Sequence, residues 1–237
     1  MFKKILMAAV LVGLMGGLSV SILQEFTTTP LILQAEEFEQ LRSGELEVRS
    51  VPKAAVSSLS ATHLGISDGS VDIGSRIERV IFTTMANILT GIGFALILIS
   101  SIALYGRSVE GRRGVVWGVA GFAIFSLAPA LGLPPEVPGS SVTELGPRQS
   151  WWFFCVAATG VGLWAVVFGR GIVWVLGGLC MVALPHVVGA PHSNETSGAP
   201  PSELAAQFVA ASLATAAIFW CTLGWLSGVF WMRLNSQ

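Results

Sequence analysis

The sequence predicts an all-α membrane protein, a polytopic bundle of transmembrane helices. Of the 237 residues, 53% are hydrophobic and only 11% are charged, whereas a soluble domain carries roughly 25% charged residues. The mean hydropathy of +0.72 is too apolar for a water-facing surface around a single core. The apolar residues also collect in long stretches without Asp, Glu, Lys or Arg, and each stretch is long enough to cross a hydrocarbon core of about 30 Å.

Six such stretches predict six spans, with five as the alternative. The fourth and fifth stretches are separated only by Gly169-Arg170-Gly171, which suits either a tight helical hairpin or one long broken helix. A β-barrel is disfavoured because its strands would alternate apolar and polar residues, whereas these stretches are apolar all round. The expected spans are about 5–24, 80–105, 115–133, 151–168, 172–188 and 206–231.

The segment from residue 25 to 78 is predicted to be a long, flexible outer loop. Its start is acidic, and its middle, residues 52–75, is rich in Ser, Ala and Gly, as flexible linkers are. The first span resembles a signal peptide, with two lysines before the apolar run and Ser19-Val20-Ser21 near its end. We expect a retained helix because the apolar run is longer than in a signal peptide, and we treat residues 1–237 as one integral membrane domain.

The positive charges on short segments predict the orientation of the bundle. Basic short loops stay on the cytoplasmic side, so the sequence predicts that both termini lie in the cytoplasm. The outer side then holds all three histidines and every acid except Glu110. The inner cations are Lys3, Lys4, Arg107, Arg112, Arg113, Arg170 and Arg233.

Several functional classes are excluded by charge and by missing motifs. A net charge of −1 leaves no basic footprint for a nucleic-acid partner. The chain has no H-E-x-x-H motif and no P-loop with its lysine. We therefore expect a protein that is not an enzyme and that has no permanently bound cofactor.

Four side chains near span ends on the outer side are candidate metal ligands. Glu136 lies in a loop that three prolines stiffen. His186 lies near the end of an apolar span, where ionisable groups are often functional. Carboxylate and imidazole ligands suit Co²⁺, Ni²⁺ and Zn²⁺, so we predict a metal site of Glu36, Glu136 and His186, with His192 as an accessory ligand. The alternatives are a solvated Glu136 and a His186 anchored by hydrogen bonds at the interface.

Some polar and small residues have structural interpretations. Asn87 and Gln207 lie inside spans, where hydrogen bonds between helices are expected. His63, in the linker, is expected to be solvated. Glycines at four-residue spacing predict close helix approach; the pairs are Gly13/Gly17, Gly114/Gly118 and Gly224/Gly228.

Several motifs run from the first loop to the last span. They include PLILQAE at 30–36, APALGLPPEVPG at 128–139, RQSWW at 148–152 and LPHVVGAP at 184–191. In these motifs the chain resembles the CbtA family, predicted cobalt transporter subunits of bacterial membranes. The resemblance implies uptake of a divalent transition metal, cobalt foremost, linked to cobalamin synthesis. Family members often carry a His-rich insertion in the first outer loop, which here contains only His63.

The resemblance also implies partners. A small single-helix CbtB-like subunit is the expected protein partner, and membrane lipid and a divalent metal ion are the others. Cobalt is then the transported ion rather than a resident cofactor. The alternative function is a non-transporting membrane scaffold or assembly subunit of a metal-uptake complex.

Overall fold

A computed structural model describes residues 2–50, 73–106, 109–140, 144–192 and 200–235. The described residues form seven helices and no strand, which confirms the all-α prediction. The helices are α1 (Phe2–Phe26), α2 (Thr29–Ser50), α3 (Ile73–Tyr105), α4 (Gly111–Ala130), α5 (Leu145–Phe168), α6 (Ile172–Val188) and α7 (Ser202–Asn235).

The predicted polytopic transmembrane bundle is confirmed. Within the described ranges, α1, α3, α4, α5 and α7 are long and apolar enough to cross a membrane. Helix α6 has 17 residues, at the short end of the spanning range. Three residues separate it from α5, and it packs back along that helix, so a hairpin forms around Arg170 rather than one broken helix. Gly171 has φ +92°, a backbone conformation that glycine adopts without steric cost.

Helix α2 was not anticipated by the interpretation of residues 25–78 as an outer loop. Residues 25 and 26 continue α1, and α2 follows after a two-residue turn. The segment is rich in Leu, Glu and Gln, which favour helix, and Pro30 lies in the first turn, where its missing N–H costs nothing. At the other end of the interval, α3 begins at Ile73, before the expected start at 80. Residues 51–72, which hold most of the predicted linker and His63, lie outside the described residues.

The glycine pairs lie where antiparallel helices approach most closely. A Cβ on Gly13 would lie 2.4 Å from the backbone of Ile92, so α1 and α3 touch through their main chains. A Cβ on Gly114 would lie 2.2 Å from the carbonyl oxygen of Gly224, which brings α4 equally close to α7. These contacts confirm the prediction that the small-residue faces pack helix against helix.

A packed core fills the half of the bundle that contains the start of α1 and the end of α7. Its buried side chains come from α1, α3 and α7 and include Val12, Ile99 and Leu223. At its edge, the rings of Phe94 and Trp220 lie 4.6 Å apart. Many large apolar side chains point outward instead, as expected for helices in contact with lipid.

The two ends of the bundle differ in chemistry. The Lys4 ammonium donates to the carbonyl oxygen of Leu234 at 2.6 Å. The start of α1 and the end of α7 therefore lie at the same end of the bundle, here called the terminal end. The opposite end, the cap end, carries the end of α1, helix α2, the loop 131–140, residues 189–192 and the start of α7. All four predicted metal ligands belong to the cap end.

Candidate functional site

A small apolar cluster holds the cap end together. Val137, only 3% exposed, packs with Ala35, Leu204 and Phe208. This contact fixes the loop 131–140 against α2 and α7. Because Ala35 and Val137 directly adjoin Glu36 and Glu136, the cluster also sets the backbone positions of the two predicted carboxylate ligands.

Glu36 forms an ion pair with Arg79 across α2 and α3. The guanidinium donates to both carboxylate oxygens at 3.1–3.2 Å. The side chains are 33% and 49% exposed, so water screens the pair and its contribution to stability is small. Both carboxylate oxygens of Glu36 are therefore engaged.

Glu136 forms a second ion pair, with Arg148 in the first turn of α5. The Arg148 guanidinium donates to one carboxylate oxygen at 2.8 Å. Pro135 precedes the glutamate and buried Val137 follows it, so the loop backbone has little freedom at this point. The carboxylate is thus positioned rather than freely solvated, and its partner is a cation of the same chain.

His186 packs beside Trp151 near the end of α6. The two rings lie 6.0 Å apart, edge to face, and the Trp151 indole N–H donates to the carbonyl oxygen of Pro185 at 3.3 Å. Trp151 is buried and also packs close to Gly132, so it joins α5, α6 and the loop 131–140. This arrangement holds the imidazole of His186, which is partly exposed, at the rim of the cap end.

His192 lies beyond the end of α6 and is exposed. Its Nδ1 is 2.7 Å from the carbonyl oxygen of Ala190. A carbonyl oxygen only accepts, so in this contact Nδ1 carries the proton. In the neutral ring Nε2 then keeps its lone pair, the tautomer that metal-binding histidines adopt when the other nitrogen donates to a carbonyl.

The four predicted ligands share one end of the bundle but do not converge on one point. Glu136 and His186 are linked through α5, because Arg148 and Trp151 are three residues apart on that helix. Glu36 belongs to the separate α2–α3 contact. Among the described residues, no group of three or more His, Cys, Asp or Glu side chains is arranged to hold a metal ion.

The polar residues inside the spans have different partners. The amide nitrogen of Asn87 donates to Ser21 at 3.0 Å and to Gln24 at 2.6 Å, so the predicted hydrogen bond between helices is confirmed. Gln207 instead donates to Glu203 of its own helix at 3.4 Å.

A cavity of about 390 Å³ lies beside Asn87, where α1, the start of α2, α3 and α7 meet, and its wall combines polar and apolar side chains. Reasoning from the sequence missed it, because its polar residues are isolated in separate segments. The one sequence feature that could have indicated the cavity is that these polar residues lie near the cap ends of antiparallel helices. Its polar lining residues are Gln24, Glu25, Thr28, Thr29, Arg79, Thr83, Asn87, Thr90, Ser212 and Thr215.

Comparison with known proteins identifies a family. A family model described as "Probable cobalt transporter subunit (CbtA)" matches residues 2–232. No curated protein and no solved structure matches the chain.

Proposed function

Because the chain belongs to the CbtA family of probable cobalt transporter subunits, we propose that it is the membrane subunit for uptake of Co²⁺ that is destined for cobalamin synthesis. The observation that carries the proposal is the family match, which covers residues 2–232 and so includes the described helices except the last three residues of α7. The chain is a multi-pass membrane protein, as a transporter subunit must be. Its role is to bind and pass a metal ion, with no catalytic step.

The proposed location is the bacterial inner membrane, with the cap end outside and both termini in the cytoplasm. The contact between Lys4 and Leu234 supports an even number of crossings, because it brings both ends of the chain to one end of the bundle. The described cations Arg112, Arg113 and Arg170 lie at that same end, on short segments. Such segments favour the cytoplasmic side.

The proposed capture ligands are Glu36, Glu136 and His186, with His192 as an accessory. Carboxylates and imidazoles together suit Co²⁺ and bind it less strongly than thiolates would. Each carboxylate now pairs with an arginine, so an arriving metal ion competes with that arginine for the carboxylate. The pairs give each partly exposed carboxylate a partner while no metal is bound, and their exposure makes the arginines easy to exchange for a metal ion.

The proposed protein partner is a small single-helix CbtB-like subunit. The family description names a subunit, which supports assembly with at least one other chain. A second function, a non-transporting scaffold or assembly subunit, is favoured by the packed core that fills the terminal half of the bundle.

Cellular uptake of radioactive Co²⁺ tests the proposed ligands. His186→Ala and Glu136→Gln should each weaken uptake about tenfold or more at limiting metal, the usual size of effect in a metal site. Glu37→Gln is the matched control, because Glu37 is exposed on the same end and has no assigned role. His63→Ala should also leave uptake unchanged. Normal uptake by inserted His186→Ala protein would mean that the histidine only anchors α6 at the interface.

A further inference from the structure

We propose that the cavity beside Asn87 binds a divalent cation with its water shell intact, through hydrogen bonds between the polar groups of the cavity wall and the bound waters. The Glu25 carboxylate supplies the charge. The identity of the cation as the transported metal rests on the proposed function. The binding site itself rests on the geometry of α1, α2, α3 and α7 alone.

The charge balance of the cavity favours a cation. Glu25 and Arg79 are the charged residues among its lining. The guanidinium of Arg79 is already neutralised by its two-oxygen contact with Glu36. Glu25 is partly buried, and in the described part of the chain it has no ion pair. One negative charge therefore remains at a place where solvent is partly excluded.

The wall of the cavity offers hydrogen-bonding groups that the protein leaves free. Asn87 uses its amide nitrogen on Ser21 and Gln24, so its side-chain oxygen is left to accept a bond. The hydroxyls of Thr83, Thr90 and Ser212 have no hydrogen-bond partner within the residues that the structure describes. Thr83 and Thr90 are exposed and Ser212 is half-buried, so water or a hydrated ligand can reach these hydroxyls and take up their hydrogen bonds.

The size and chemistry of the cavity favour a hydrated ion over a bare one. Six waters occupy about 180 Å³ at their liquid volume, which fits within the cavity. The lining contains no imidazole or thiolate, and Glu25 is its single carboxylate among the described residues, so most of the shell of a bound transition metal would stay water. Hydroxyl and amide oxygens can instead accept hydrogen bonds from metal-bound waters.

The cavity ends against packed aromatic rings. From Arg79 to Thr90 its wall extends about 16 Å along α3. At the inner end Phe219 lines it, and this ring lies 6.0 Å from Trp220 and 6.4 Å from Phe94. A cation that entered from the cap end would thus be held above the core rather than released through it.

Hexaamminecobalt(III) is the probe that tests this proposal. It is similar in size to a hydrated metal ion, and its ammine ligands donate hydrogen bonds as metal-bound waters do. Because it does not exchange these ligands, carboxylates and imidazoles cannot coordinate the metal. Binding to purified protein in neutral detergent is measured by equilibrium dialysis. Glu25→Gln should weaken binding about tenfold, the size expected when a charge-assisted contact is lost. Glu37→Gln, with the same charge change outside the cavity, should bind like the original protein.

A second variant removes hydroxyls without changing charge. The double variant Thr83→Val/Thr90→Val keeps the shape of both side chains and should also weaken binding. It tests the proposal even if the Glu25→Gln protein does not fold. Equal affinity of Glu25→Gln and Glu37→Gln, or no binding by the original protein, overturns the proposal. Glu25-dependent binding without any Co²⁺ uptake would support the cavity site and refute the transport function. Co²⁺ uptake together with probe binding that does not depend on Glu25 would support the transport function and refute the cavity site.

Discussion

Replacing Gly118 by alanine should destabilise the bundle, because this glycine lies where α4 and α7 touch through their backbones. A Cβ at this position would lie 2.1 Å from the carbonyl oxygen of Trp220, whereas real Cβ contacts stay above 3.0 Å. The neighbouring atom is backbone and cannot rotate away. The two helices must therefore separate by roughly 1 Å, which forfeits a quarter to a half of the dispersion energy at nearby contacts.

The expected loss is about 1–3 kcal/mol of unfolding free energy, the usual cost of forcing an added methyl group into a packed interface. The matched control is Gly93→Ala, because a Cβ on Gly93 meets nothing within 4 Å. That variant should gain up to about 1 kcal/mol from helix propensity. The two identical substitutions thus have effects of opposite sign.

Unfolding in mixed micelles with increasing SDS, followed by tryptophan fluorescence, measures both effects. The midpoint should fall for Gly118→Ala and stay equal or rise for Gly93→Ala. Equal shifts in the two variants would refute the close α4–α7 packing on which the arrangement of the whole bundle depends.

Three further predictions concern topology, helix contacts and the arginine pairs. In protein whose native cysteines are serine, Ser140→Cys should react with an impermeant thiol reagent added outside and Lys3→Cys should not; labelling of both would contradict the six crossings. Asn87→Leu should lower the SDS midpoint by the equivalent of about 1 kcal/mol, because it removes two hydrogen bonds between α1 and α3. An unchanged midpoint would show that these bonds contribute little to the stability of the bundle. Arg148→Gln should increase Co²⁺ binding measured by dialysis, because it frees Glu136 from its ion pair; weaker binding would show that the arginine is needed to position the carboxylate.

Most of the fold could be predicted from the sequence because lipid leaves few alternatives. A span must be an apolar helix with its backbone bonds satisfied internally, so charge-free stretches identify the spans. Helix α2 could not be found this way. It is too polar to be found among the apolar stretches, although its Leu, Glu and Gln residues favour helix. The hairpin around Arg170 was one of two alternatives, and the backbone of Gly171 is what permits it.

The candidate site was only partly predictable. The positions of Glu136 and His186 near span ends placed them at one end of the bundle. Their partners Arg148 and Trp151 come from packing that no spacing rule reveals. The cavity beside Asn87 depends on the depth at which α1, α3 and α7 align, and single polar residues in separate spans carry no information on that alignment.

Metal flux into liposomes that contain the purified chain tests the central claim most directly. The liposomes enclose a metal-sensitive dye, and Co²⁺ is added outside, with and without a co-purified single-helix partner subunit. If the chain is the metal-uptake subunit, Co²⁺ should enter with the partner present, and Glu136→Gln together with His186→Ala should reduce entry to the level of empty liposomes. Entry at that background level for the original chain, with its partner bound and correctly oriented, would contradict a transport role and support the scaffold function.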